Sequence, residues 1–152
     1  MKYKYNDGGR SDAGFKGTTG DCGVRAIAIA TGKPYKEVYD YVNHICKSEK
    51  PSKTRKGKSS ARTGIHTHTF KKIIESYGWE WIPTMFIGQG CKVHLTPEEL
   101  PSGKIICRVS KHFVAVLDGV INDTYDCSRD GRRCVYGYFI EGGKWWKCQM
   151  LL

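Results

Sequence analysis

Lys111-His-Phe-Val-Ala-Val-Leu-Asp-Gly-Val-Ile-Asn-Asp-Thr-Tyr125 holds the strongest fold signal in the chain. Two alternating apolar runs flank Asp118-Gly119, a dipeptide suited to a type I′ hairpin turn with positive φ at both positions. A two-residue loop sets the register. Leu117 then faces Val120, Val114 faces Asp123 and His112 faces Tyr125. Side chains alternate along a strand, so His112, Val114 and Val116 share a face with Asp123 and Tyr125. Asp123 becomes the diagonal cross-strand neighbour of His112, within reach of an imidazole. Asn122 points to the other face, so Asp123 is the residue placed to orient the His112 ring.

Outward from this hairpin the period stays at two. Lys104–Val109, Val135–Glu141 and Lys144–Met150 read as strands, as does Trp79–Thr84 after the stop at Gly78. Thr96–Leu100 reads as a capped helical turn. Upstream the period is 3.6. Thr67–Tyr77 carries Phe70, Ile73, Ile74 and Tyr77 on one face, and Val38, Tyr41, Val42 and Ile45 do the same after Pro34. An earlier helix opens at Cys22 behind Asp21, a good N-cap, and closes at Thr31-Gly32. Its run is apolar almost all round, so it is expected to be buried on most faces. Residues 1–20 are Gly-rich and read as loop. Helices first and strands later argue for an α+β fold, with N-terminal helices on a C-terminal antiparallel sheet, in one domain spanning 1–152.

The chain has 25 Lys plus Arg against 15 Asp plus Glu, a formal charge of +10 over 152 residues. That balance suggests nucleic-acid binding. The charge is concentrated, however. Residues 47–62 hold Lys47, Lys50, Lys53, Arg55, Lys56, Lys58 and Arg62 against Glu49 alone, and so carry +6 of the total. They contain no large apolar residue and read as an exposed, mobile basic loop. Lys53, Arg55, Lys56, Lys58 and Arg62 are its candidates for holding an acidic partner or nucleic acid. No apolar run approaches the roughly 20 residues of a membrane helix, and the N-terminal stretch has no apolar signal region. With seven cysteines in scattered positions, reduced thiols in a cytoplasmic protein are the expectation, without a disulfide framework. A zinc site drawn from His66, His68, Cys127 and Cys134 lacks close ligand pairs. His44, His66, His68 and His94 have no partner comparable to Asp123, and no phosphate-binding glycine fingerprint is present, so no cofactor is expected.

Cys22 is the candidate nucleophile. A thiol at a helix N-terminus meets the positive end of the helix dipole and unpaired N–H groups, which favour thiolate. A catalytic cysteine needs a base from elsewhere in the chain, and His112 with Asp123 supplies one.

These residues resemble the papain-like cysteine peptidases, and among them the C39-type, bacteriocin-processing peptidases. The resemblance rests on Asp21-Cys22-Gly23, on His112-Phe113-Val114-Ala115-Val116, and on Asp123 after Val120-Ile121. It runs in order over residues 14–126. Small papain-like proteins of phages and prophages are similar too. The resemblance implies a papain-like fold and a Cys22, His112, Asp123 triad that hydrolyses a peptide or isopeptide bond, or passes the acyl group to an amine. The family also places a Gln ahead of its Cys as an oxyanion donor. Residues 15–20 have none, which leaves Lys16, Thr18 and Thr19 as candidates for that role. Loss of such a donor costs roughly 10²–10³ in rate. An inactive scaffold binding nucleic acid or a host protein through the basic loop is the competing expectation.

Overall fold

The computed structural model describes residues 1–17, 19–51 and 57–142. In chain order the elements are β1 (Lys2–Tyr5), α1 (Cys22–Thr31), α2 (Tyr35–Cys46), α3 (Thr67–Ser76), β2 (Trp79–Pro83), β3 (Lys104–Val109), β4 (His112–Leu117), β5 (Val120–Asp123) and β6 (Gly137–Glu141). The fold is α+β: three helices on a six-stranded sheet of order β1-β5-β4-β3-β6-β2. The expected strand Lys144–Met150 lies outside the described residues.

The central hairpin follows its turn chemistry. Asp118 and Gly119 both adopt positive φ, 49° and 77°. Leu117 pairs with Val120, Val116 with Ile121 and Ala115 with Asn122. Two expectations need correction. The sheet is mixed, because β1 runs parallel to β5 at one edge, while the other pairings are antiparallel. Residues 1–20 are therefore not all loop. All four β1 residues are exposed, so β1 has no apolar face that periodicity could reveal, and backbone bonds to β5 hold it. Thr96–Leu100 holds a single turn, the Glu99 N–H donating to the Thr96 carbonyl at 3.3 Å.

The sheet separates two cores. On the helical side, Val24, Ile27, Val38, Val42, Phe70, Ile73 and Ile74 are wholly buried. They pack with Ile106, Phe113, Ala115 and Phe139 of the sheet. Each large side chain buried in this way contributes about 1.5–3 kcal/mol. Phe70 stacks on Phe113 with ring centroids 3.8 Å apart, which ties α3 to β4. α1 is buried along most of its surface, as its composition requires, and ends at Gly32 with φ 73°. On the other side, irregular segments supply Leu95, Leu100, Cys127 and Val135 to cover Ile105, Cys107, Val114, Val116 and Ile121.

That second cover is stapled. Cys91 and Cys134 form a disulfide, which corrects the expectation of seven reduced thiols. Backbone bonds from Leu95 to the Arg133 carbonyl and from Val135 to the Val93 carbonyl, both 2.8 Å, hold the same two segments together. Segments without regular structure bury few apolar groups per residue, and a cross-link offsets part of their chain entropy.

In the basic segment 47–62, Lys53, Arg55 and Lys56 lie outside the described residues. Polar contacts tie both flanks to the helices. Glu49 accepts the Ser59 N–H at 2.9 Å and the Thr69 hydroxyl, and Asn43 accepts the Ala61 N–H at 2.9 Å. Ala61 is fully buried. Lys58 and Arg62 remain exposed.

Candidate active site

α1 packs along the sheet with its N-terminus at the start of β4, and this brings Cys22, His112 and Asp123 into one place. His112 is 6% exposed and Asp123 3%. The His112 Nε2–H donates to Asp123 Oδ2 at 2.6 Å. Asp123 Oδ1 accepts the Thr124 N–H at 2.7 Å and Arg25 Nη2 at 3.3 Å. With Nε2 engaged, Nδ1 is the ring nitrogen left for the thiol. The Tyr125 ring lies 5.3 Å from the His112 ring, as the hairpin register implied.

The electrostatics favour an ion pair. Burial opposes ionisation of Cys22, yet hydrogen bonding to His112, the charge of His112, a backbone hydrogen bond at Phe113 and the Arg25 charge together hold the thiol below its usual value. Burial likewise opposes charge on His112. Its hydrogen bonds to Asp123, Cys127 and Cys22, and the Cys22 charge, nonetheless push the imidazole well above the ordinary histidine range. Asp123 is desolvated too, but His112, the Thr124 N–H and Arg25 keep its carboxyl below the usual range. All three directions favour the charged forms: thiolate, imidazolium and carboxylate.

Arg25 was not singled out by the sequence reading. It is 8% exposed and donates through Nη1 to Asp21 Oδ1 and through Nη2 to Asp123. Asp21 also accepts the Tyr35 hydroxyl at 2.5 Å and pairs with Arg10 at 3.4 Å. Asp21 therefore occupies the N-cap position without capping: its oxygens go to two guanidinium groups and a phenol, and no side-chain cap bond forms. The available signal was a lone arginine inside an apolar, buried helix, which requires a carboxylate partner.

The cleft at Cys22, of about 370 Å³, is lined on one side by Gly20, Thr63 and Ile65, and on the other by Arg108, Lys111 and His112. The residues that follow the basic segment, Thr63 to Ile65, thus form a wall of this cleft. Gly20 donates its N–H to the Arg62 carbonyl at 2.8 Å. A Cβ at Gly20 would sit 2.8 Å from the Thr63 carbonyl oxygen, so only glycine fits. The oxyanion candidates fare poorly. Lys16 and Thr19 do not line the cleft, and the Thr19 hydroxyl is spent on the Arg62 carbonyl at 2.6 Å. Thr18 lies outside the described residues. Besides Arg25, which is paired with Asp21 and Asp123, the lining arginine and lysine are Arg108, whose guanidinium lies 4.5 Å from the Phe113 ring centre, and Lys111.

The zinc set His66, His68, Cys127 and Cys134 does not assemble: Cys134 is in the disulfide, and His66 bonds the Gly57 carbonyl at 3.2 Å. Another supposedly partnerless histidine, His94, lies 3.3 Å from Glu99 on the surface. Among the described residues, the one group able to hold a metal is His112, Asp123 and Cys127, with ligand atoms within 4.8 Å of one another. The Arg25 guanidinium on Asp123 opposes a dication there. No helix among the described residues is long and apolar enough to cross a membrane. No family model matches this chain, and neither a curated protein nor a solved structure does.

Proposed function

We propose that this protein is a papain-like cysteine hydrolase acting on peptide or isopeptide bonds. The observation that carries the reading is a half-buried Cys22 beside a buried His112–Asp123 pair, with His112 Nε2 at 2.6 Å from Asp123. The Cys22 thiolate attacks the carbonyl carbon, forming a C–S bond and an oxyanion. Backbone N–H groups at the α1 N-terminus and the cationic lining, Arg108 foremost, face the developing negative charge. As the oxyanion collapses, the C–N bond breaks and the imidazolium of His112 protonates the leaving amine. His112, now neutral, deprotonates a water that hydrolyses the thioester, and Cys22 leaves as thiolate. Asp123 holds the ring tautomer throughout. An amine in place of that water would give acyl transfer.

The test is a covalent trap. The protein is treated with an activated acyl ester, and intact mass is measured before and after hydroxylamine. Acylation at Cys22, released by hydroxylamine and absent in Cys22→Ala and His112→Ala, supports the reading. Acylation equally fast in the folded His112→Ala variant overturns it.

A further inference from the structure

The reactive cleft continues past His112 into a second cavity of about 610 Å³, lined among others by Lys111, His112, Tyr125, Asp126, Arg129 and Arg133. The two cavities share Lys111, His112 and Tyr125, but Cys22 lines only the first. His112 is therefore the border between them. Under the reading above, His112 hands its proton to the leaving amine. The chain attached to that amine must then run from His112 away from Cys22, into the second cavity.

The charge of this cavity is one-sided. Three cations line it against one carboxylate. Asp126 Oδ1 is already occupied by the Ser128 N–H at 3.0 Å and the Ser128 hydroxyl at 2.7 Å. Among the described residues, Lys111, Arg129 and Arg133 form no salt bridge. Arg133 is the anchor. It is 8% exposed, its Nη2 donates to the Ser110 carbonyl at 2.5 Å, and its Nε is buried with no hydrogen-bond partner among the described residues. A guanidinium held out of water without a counter-charge is costly, and an anion in the adjoining cavity would relieve it. Lys111 and Arg129 stand at left-handed φ, 55° and 51°, where glycine or asparagine would be easier.

We infer that this second cavity is the leaving-group subsite and that it selects an acidic peptide, with an Asp or Glu side chain one or two residues after the cleaved bond. The inference rests on the hydrolase reading for its direction, and on the cation cluster for its chemistry. It is tested on the full chain by following alkylation of Cys22 with neutral iodoacetamide. The competitors are acetyl-Asp-Glu-amide, acetyl-Asn-Gln-amide, acetyl-Asn-Gln with a free carboxylate, and a short oligothymidylate.

The acidic amide is expected to protect Cys22 at about a tenfold lower concentration than its neutral counterpart, with the difference shrinking as salt rises. Arg133→Met, Lys111→Asn and Arg129→Asn should each weaken that protection about fivefold; asparagine is chosen because it tolerates the left-handed backbone. If Arg133→Met does not fold, the two asparagine variants carry the test. Equal protection by acidic and neutral peptides overturns the inference. Protection by the free-carboxylate peptide alone, or by the oligothymidylate alone, does so too. If Cys22 of the intact protein alkylates no faster than the buried Cys46, Cys107 and Cys127, it is the hydrolase reading that fails. Calorimetric titration of the acidic amide then decides the cavity: binding that Arg133→Met or Lys111→Asn weakens keeps the anion site, and no binding removes it.

Discussion

Replacing Arg25 by methionine tests the buried network most directly. Its guanidinium joins Asp21 to Asp123, 3.3 Å from the latter, with side chains 10%, 0% and 4% exposed. At an effective dielectric of ~20, each pair is worth roughly 4 kcal/mol before desolvation. Removing one partner of a buried pair costs about 3–5 kcal/mol, because the other charge stays behind. Both carboxylates keep other partners here: Asp21 has Tyr35 and Arg10, and Asp123 has His112 and the Thr124 N–H. We therefore expect the lower end, about 3 kcal/mol, and a drop of about 6–12 °C in melting temperature for a domain of this size. The pH dependence carries the distinctive signature. Asp123 has a depressed folded pKa, so its contribution is present above the unfolded value and is lost as pH falls through the folded one. Without Arg25 that depression is smaller. The gap between the two proteins should be widest near pH 7 and should close as Asp123 takes up its proton. Urea unfolding at pH 7 and in steps down to about pH 2, below the depressed Asp123 value, measures it. A cost below about 1 kcal/mol at pH 7, or one independent of pH, would refute the charge argument and leave Arg25 as packing only.

Other outcomes follow from single contacts. Alkylation of Cys22 should persist well below the ordinary thiol pKa of about 8.5, and Asp123→Asn should move its acid limb upward by weakening the imidazolium; iodoacetamide rates against pH show it. Glu49, held at a pKa of about 2 by Ser59, Thr69 and His66 against its own desolvation, stabilises the folded chain above its unfolded value near 4.5 and ceases to as pH falls toward about 2. Glu49→Gln should cost about 1–3 kcal/mol at neutral pH and admit a protease between residues 47 and 62. Reducing Cys91–Cys134, which closes a loop across 43 residues of sequence, should lower stability by about 2–4 kcal/mol in urea titrations. Arg108→Met should slow acylation of Cys22 by about 10²-fold while leaving its alkylation rate within a few fold.

Much of this arrangement was legible because it is local. Asp118-Gly119 admits one tight turn, and that turn carried the register that places Asp123 beside His112. The apolar run after Cys22 reads as a buried helix because its periodicity needs no distant partner. The failures share a cause as well. β1 is an exposed edge strand held by backbone bonds, and backbone bonds leave no side-chain pattern. Glu49 is an ordinary acid in a basic run until Ser59 and Thr69 close around it. Asp21 has the right identity for a cap, but buried cations outcompete the helix N–H groups for its oxygens.

The helix that opens at Cys22, the alternating strands and the hairpin register follow from the order of residues alone, since each depends on neighbours within about a dozen residues and on backbone geometry common to all chains. It took the packing of the whole molecule to set Cys22 beside His112, to bridge two carboxylates with Arg25, to bring Thr63, Gly64 and Ile65 to the cleft, and to gather Lys111, Arg129 and Arg133 around one cavity. Those meetings depend on how sheet and helices pack, and charges are drawn together there because burial makes an unpartnered one too costly to keep.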